Sequence, residues 1–168
     1  MFNGQGDLEM NLTKTAFVIL WAGLLSSGIA LAQEQTLPFK LVITMTRDAE
    51  MALPSITDQS LVANEAVGVA YFEDGRIAFK RFAIATIDGE EEGSYIGLST
   101  YTFENGDALN LKFTGGWSPE GQTVEYTVLS GGGAFEGATG TGELTGVENS
   151  WEDANLLEGS FTLQVPEN

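Results

Sequence analysis

The sequence predicts an all-β domain. Three observations carry that reading. From Phe39 onward, segments rich in Val, Ile, Phe, Tyr and Thr recur at hairpin spacing. Two of the gaps are the turn dipeptides Asp74-Gly75 and Asn105-Gly106, the strongest short-range hairpin signals in the chain. Between Gly131 and Gly146, seven of the chain's 21 glycines fall within sixteen residues, with one large apolar side chain, Phe135, in their midst. Such a density suits a corner where backbones approach closely or φ turns positive, pinned by a buried ring.

The first predicted strand is Phe39 to Thr46, with Phe39, Leu41, Ile43 and Met45 on one face. Arg47 to Glu65 has weak periodicity and a breaker at Pro54. It leaves room for a short helix around Asp48 to Leu53, and connections this long are often lids or mouth coverings. Val67 to Glu73, Arg76 to Ile87, Ser94 to Glu104, Asp107 to Thr114 and Thr123 to Ser130 read as strands. Thr141 to Val147 and Ser160 to Val165 complete about eight. An antiparallel barrel or sandwich follows.

Turn length fixes which side chains share a face. With two-residue loops, Glu73 pairs with Arg76 and Glu104 with Asp107. Ala70 and Phe72 then share the inner face with Ile77, Phe79, Arg81, Ala83 and Ile87. Ile96, Leu98, Thr100 and Thr102 join Leu109, Leu111 and Phe113. Tyr126 lies with Val124 and Val128, and Phe161 with Leu163 and Val165. The opposite faces would carry Phe82, Ile84, Tyr95, Tyr101 and Phe103. An outward apolar patch of that kind suits a homo-oligomer packed through Phe82, Ile84, Tyr101 and Phe103.

The chain opens with what reads as a signal peptide over residues 1–32, with Met10 as an alternative start. Met10 to Lys14 is a short basic start, Thr15 to Leu31 is nearly uncharged and apolar, and Ala30-Leu31-Ala32 is an A-x-A cleavage signature. Residues 33–168 would form one domain large enough for its own core. The expected location is periplasmic or secreted, in a bacterial setting, with no stable membrane insertion after cleavage. A lipid anchor on cysteine is excluded, because the chain has no cysteine.

Composition narrows the chemistry. Removing the leader takes away Lys14, Asp7 and Glu9, so 24 acidic and seven basic residues become 22 and six, and the net charge −17 becomes −16. Nucleic acid and anionic lipid surfaces would be repelled. There is no histidine, which removes the commonest general base and metal ligand. No cofactor or metal is expected. The glycine run lacks the lysine of a phosphate-binding loop, a helix to open for a dinucleotide, and the regular aspartates of a calcium β-roll.

The polar positions on the predicted inner face are the candidate ligand-binding residues: Arg81, Tyr126, Thr100 and Thr102, with Phe79 beside them. Arg81 does not lose its proton, so inside a barrel it must be paired or hold an anion. The hydroxyls could hydrogen-bond a ligand in an otherwise apolar hollow. No catalytic set is assigned. Glu104 and Asp107 read as a solvated hairpin end, and Glu90-Glu91-Glu92 as a loop charge run without the spacing of a calcium loop.

The run Gly133-Ala134-Phe135-Glu136-Gly137-Ala138-Thr139-Gly140 resembles the Gly-x-Phe-x-Gly-Ala-x-Gly signature near the end of the allene oxide cyclase and dirigent β-barrels. Thr141 to Gly146 is similar to the small bacterial relatives of that superfamily. The resemblance implies an antiparallel barrel of about eight strands, allene-oxide-cyclase-like, around a hollow for a small apolar or aromatic ligand. It also implies, as the alternative, a cofactor-free cyclase or isomerase that steers ring closure by shape. The chain departs from the plant cyclases in lacking a pocket cysteine, and matches the dirigent pocket arginines in type alone, through Arg81. A third reading is a ligand-free structural oligomer, its barrel filled by Phe79, Phe113 and Phe161.

Overall fold

In the computed structural model, which describes residues 32–51 and 58–167, eight antiparallel strands close into one barrel in sequence order. They are β1 (Ala32–Met51), β2 (Gln59–Phe72), β3 (Ile77–Gly89), β4 (Gly93–Phe103), β5 (Ala108–Ser118), β6 (Gly121–Gly132), β7 (Thr139–Val147) and β8 (Asn155–Pro166). Each strand pairs with the next, and β8 returns to β1 with Leu37 opposite Phe161 and Leu41 opposite Leu157. Closure leaves no open sheet edge, so every strand finds partners on both sides. All eight expected strands are present. The expected leader over residues 1–32 falls outside the described residues except for Ala32, the first residue of β1.

The expected helix near Asp48 gives way to strand. Arg47 to Met51 pair with Leu61 to Glu65, after a register shift between Met45 and Arg47. Ala52 and Leu53 lie outside the described residues. The long connection is thus mostly an extension of the β1–β2 ladder, and β3 follows it to Gly89.

The tight hairpins have three-residue loops, not two. Gly75 N–H donates to Phe72 O at 3.0 Å and Phe72 N–H to Arg76 O at 2.9 Å, leaving Glu73, Asp74 and Gly75 as the loop. Phe103 and Asp107 enclose Glu104, Asn105 and Gly106 by the same two bonds, at 3.0 and 2.9 Å. Gly75 and Gly106 sit at φ 90° and 91°, in the left-handed region that closes three-residue hairpins and that side chains disfavour. Asp74 and Asn105 accept from the backbone N–H two residues on, at 3.1 Å each.

One residue of loop length inverts the faces of β3 and β4. Tyr71 pairs with Ile77, and Ala70 with Ala78. Ala78, Lys80 and Phe82 therefore point inward, as do Tyr95, Ser99, Tyr101 and Phe103 on β4. The second three-residue loop restores the expected phase, so Leu109, Leu111 and Phe113 on β5 face inward as predicted, with Val124, Tyr126 and Val128 on β6. The predicted self-association surface is corrected by the same shift. Phe82, Tyr101 and Phe103 are buried in the core and Ile84 packs against it. The large apolar side chains left outside on these strands are Phe79, Ile87, Ile96 and Leu98. Leu129 joins them because a bulge opposite Asn110 and Leu111 pushes it out.

The interior is solid over most of its length. Phe161 is fully buried and packs Phe39 at 4.7 Å, Tyr101 at 5.2 Å and Tyr126 at 5.6 Å between ring centres. The column continues through Phe72, Phe103 and Phe135, each step 4.9–5.1 Å. Glycine makes the space. A Cβ on Gly142 would strike the Phe161 ring, and one on Gly97 the Phe113 ring. The glycine-rich corner closes one end as expected: Gly133–Phe135 forms a short 3-10 turn that drops the Phe135 ring into the barrel floor. Arg76 lies over the Phe72, Phe103 and Phe135 rings at 5.4–5.9 Å, its charge met by Asp74.

Phe161→Ala should cost about 3–5 kcal/mol, the range for truncating a well-packed core phenylalanine. Urea unfolding of the two proteins measures the difference. A loss below about 1 kcal/mol would mean that the column around Phe161 is not close-packed.

Candidate functional site

A charged side chain in the aromatic column is the feature that core packing does not explain. Lys80 points inward because β3 leaves its turn one residue later than a two-residue loop would place it. It is 3% exposed. Its Nζ sits over the Phe82 ring at 4.2 Å, and 5.2–5.4 Å from the ring centres of Tyr126, Phe113 and Tyr101. Nζ donates to Tyr126 Oη at 2.7 Å, and the Tyr101 hydroxyl donates to the same oxygen at 3.3 Å.

Among the described residues the ion pairs are Lys40–Glu158, Arg47–Glu65 and Arg76–Asp74, so no carboxylate pairs with Lys80. Ring faces and one phenol compensate an ammonium far less than water does. Burial accordingly pulls the Lys80 amine down to about 7. The same desolvation holds the Tyr101 and Tyr126 phenols well above their ordinary range, so both stay neutral. The site at neutral pH is an amine that is charged about half of the time, beside two phenols that keep their protons.

A cavity of about 30 Å³ adjoins the amine toward the end of the barrel away from Phe135. Leu41, Ile43, Phe82, Val124 and Leu157 wall it, with Met45, Ile84 and Gln122 at the rim. It has room for about one or two waters. Met45 is 46% exposed although it continues the inward phase of β1, so the rim is open to solvent there. Tyr95 braces the other side: its hydroxyl donates to Thr123 O at 2.7 Å and accepts from Gln122 Nε2 at 3.2 Å.

Of the five residues selected from the sequence, only Tyr126 lines the interior. Arg81, Phe79, Thr100 and Thr102 lie on the outer wall. The register shift explains all four at once, because they alternate with Lys80, Phe82, Tyr101 and Phe103. They remain neighbours there: Arg81 pairs with Thr100 and Phe79 with Thr102, and the Arg81 guanidinium stacks 5.3 Å from the Phe79 ring. Thr100 Oγ1 donates to Asn110 Oδ1 at 2.8 Å. This outer groove is a shallow, solvent-facing surface, lined also by Val67, Leu98 and Leu129. Lys80 is the residue missed, and the signal for it was the glycine as third residue of a three-residue loop.

No group of three or more Asp or Glu residues able to hold a metal ion occurs among the described residues. The interior donors are one amine, phenols and the Ser99 hydroxyl, which is buried without a hydrogen-bond partner among those residues. They favour neutral ligands over metal ions.

Because the folded Lys80 titrates below its unfolded value of 10.5, the unfolded chain binds the extra proton between pH 7 and 10.5. Stability therefore rises with pH across that window through Lys80, and its full penalty is felt below pH 7. Lys80→Met should stabilise the protein at pH 6 by an amount on the order of a few kcal/mol. The gain should shrink as pH approaches 10. Paired urea titrations at the two pH values check this, and a constant or reversed difference would contradict a desolvated amine.

No protein-family model matches the chain, and no curated protein matches it by sequence. Solved structures do. The pterocarpan synthase dirigent protein GePTS1 superposes with a TM-score of 0.57 at 16% identity, over 83% of this chain and 94% of its own. The pterocarpan synthase dirigent protein PsPTS1 gives 0.57 at 16%, over 81% and 97%. A DUF3224-family protein of unknown function from Shewanella oneidensis gives 0.52 at 13%, over 82% and 99%. At these identities the likeness is one of fold, and the chain has a dirigent-like, closed eight-stranded antiparallel β-barrel.

Proposed function

We propose that this protein is an exported barrel that binds a small apolar or aromatic molecule at the open end of its interior, above Lys80. The observation that carries the reading is a single polar amine at the base of an apolar, solvent-connected recess. Small-ligand sites have that composition: mostly apolar walls and a few placed polar groups that fix orientation. The leader-like start supports action outside the cytoplasm. The high negative charge favours neutral or cationic ligands over anions.

The recess as it stands is smaller than such a ligand. Binding therefore requires the rim side chains Met45 and Ile84 to swing outward. Met45 is half exposed, and Ile84 is partly buried at the edge of the core. Met45 adds an unbranched, adaptable chain suited to that role.

Two further readings have specific support. The filled aromatic column favours a ligand-free barrel. The fold shared with pterocarpan synthase dirigent proteins, together with an amine able to accept a proton near neutrality, favours a cofactor-free cyclase or isomerase acting in the same recess.

Titration with N-phenyl-1-naphthylamine, a neutral fluorescent probe, discriminates among them. The binding reading expects saturable enhancement at about one probe per barrel, and a loss of at least tenfold in affinity for Ile84→Trp, which fills the rim. Absence of saturable binding to the folded wild-type protein would favour the ligand-free barrel.

A further inference from the structure

We propose that Lys80 captures carbonyl compounds: its Nζ adds to a short aliphatic aldehyde that enters the recess beneath Met45 and Ile84, forming an imine. The inference deepens the binding reading and rests on the same recess. Four features of the site support it.

The amine and the Tyr126 hydroxyl line the cavity together, and the walls beside them are mostly apolar. The amine is held in place, over the Phe82 ring and against Tyr126. No carboxylate pairs with it among the described residues, so no counter-ion holds it as an ammonium. The titratable groups that face it are Tyr101 and Tyr126, with Tyr95 across the recess, all phenols whose neutral form is favoured by burial. Desolvation in an apolar pocket is one of the ways in which a lysine becomes a nucleophile at neutral pH.

The step balances without an added oxidant or reductant. The Nζ lone pair attacks the carbonyl carbon, and a proton passes from nitrogen to the former carbonyl oxygen, giving a carbinolamine. Loss of that hydroxyl together with the remaining nitrogen-bound proton, as water, leaves the neutral C=N bond. Tyr126 Oη, 2.7 Å from Nζ, is placed to pass this proton from nitrogen to oxygen, and Tyr101 hydrogen-bonds Tyr126 from behind. The water released has a volume the cavity can hold. An aldehyde is preferred over a carboxylic acid because the chain is strongly acidic overall, and over a bulky ketone because the recess is narrow.

The full-length protein is treated at pH 7 with propanal and sodium cyanoborohydride, which converts any imine to a stable propyl amine. Peptide mapping then compares Lys80 with the exposed Lys40 and Lys112. At pH 7 an ordinary lysine is neutral in about one molecule in a thousand, and one titrating near 7 in about half. Lys80 should therefore be modified at least tenfold faster than Lys40 or Lys112, even after a cost for entry. Its rate should level off above pH 8. Tyr126→Phe should slow Lys80 modification severalfold while leaving Lys40 and Lys112 unchanged.

Lys80 modified no faster than Lys40 and Lys112 overturns the proposal. The naphthylamine probe separates the two readings. Probe bound with Lys80 unmodified sinks the imine and leaves the ligand site standing. Lys80 modified selectively with no probe bound retains the amine chemistry and sinks the apolar ligand site.

Discussion

Everything inside this barrel depends on the left-handed backbone at Gly75 and Gly106. A strand has two faces, and a turn longer by one residue exchanges them. At Gly75 the three-residue loop sends Lys80 and Phe82 inward and Phe79 and Arg81 outward. At Gly106 the second such loop returns β5 to the phase that buries Leu109, Leu111 and Phe113. The two turns act as a matched pair. Together they bring Tyr101 and Phe103 into the aromatic column and leave Ile96 and Leu98 on the outer wall.

The column then dictates the chemistry. Rings from β1, β4 and β6 converge on Phe161 of β8 and exclude water, while the Phe135 turn and Arg76 seal the floor. Lys80 inherits this dry environment. An amine there has lost hydration worth several kcal/mol and regains only part of it from Tyr126 and the ring faces. Residues that lower stability without repairing anything in the core are frequent at functional sites. Lys80 adjoins a small cavity that leads toward the open rim at Met45.

Much of the architecture was legible in the sequence because composition and spacing repeat. The eight strands, the glycine-rich corner and the burial of Phe135 follow from Val, Ile, Phe and Gly placement alone. The inner faces of β1, β5, β6 and β8 also follow, since only one phase of each is apolar. β3 and β4 were ambiguous for a physical reason. Ile77, Phe79 and Ala83 are as apolar as Ala78, Phe82 and Ile84, and Ile96 and Leu98 compete with Tyr95 and Tyr101. Where both phases are apolar, turn length decides, and Asp-Gly and Asn-Gly serve loops of two or of three residues. Four of the five expected site residues moved outside on that point. Tyr126 stayed, because Val124, Tyr126 and Val128 mark the inward phase of β6 and the second three-residue loop returns β5 and β6 to that phase.

The Lys80 amine is held dry inside the barrel, and its titration is directly observable. Heteronuclear NMR of protein labelled with ¹⁵N and ¹³C follows Lys80 Nζ and Cε through pH. The structure predicts a midpoint near 7 for Lys80. A Lys80 midpoint near the ordinary lysine value of 10.5 would contradict it and place the side chain in water.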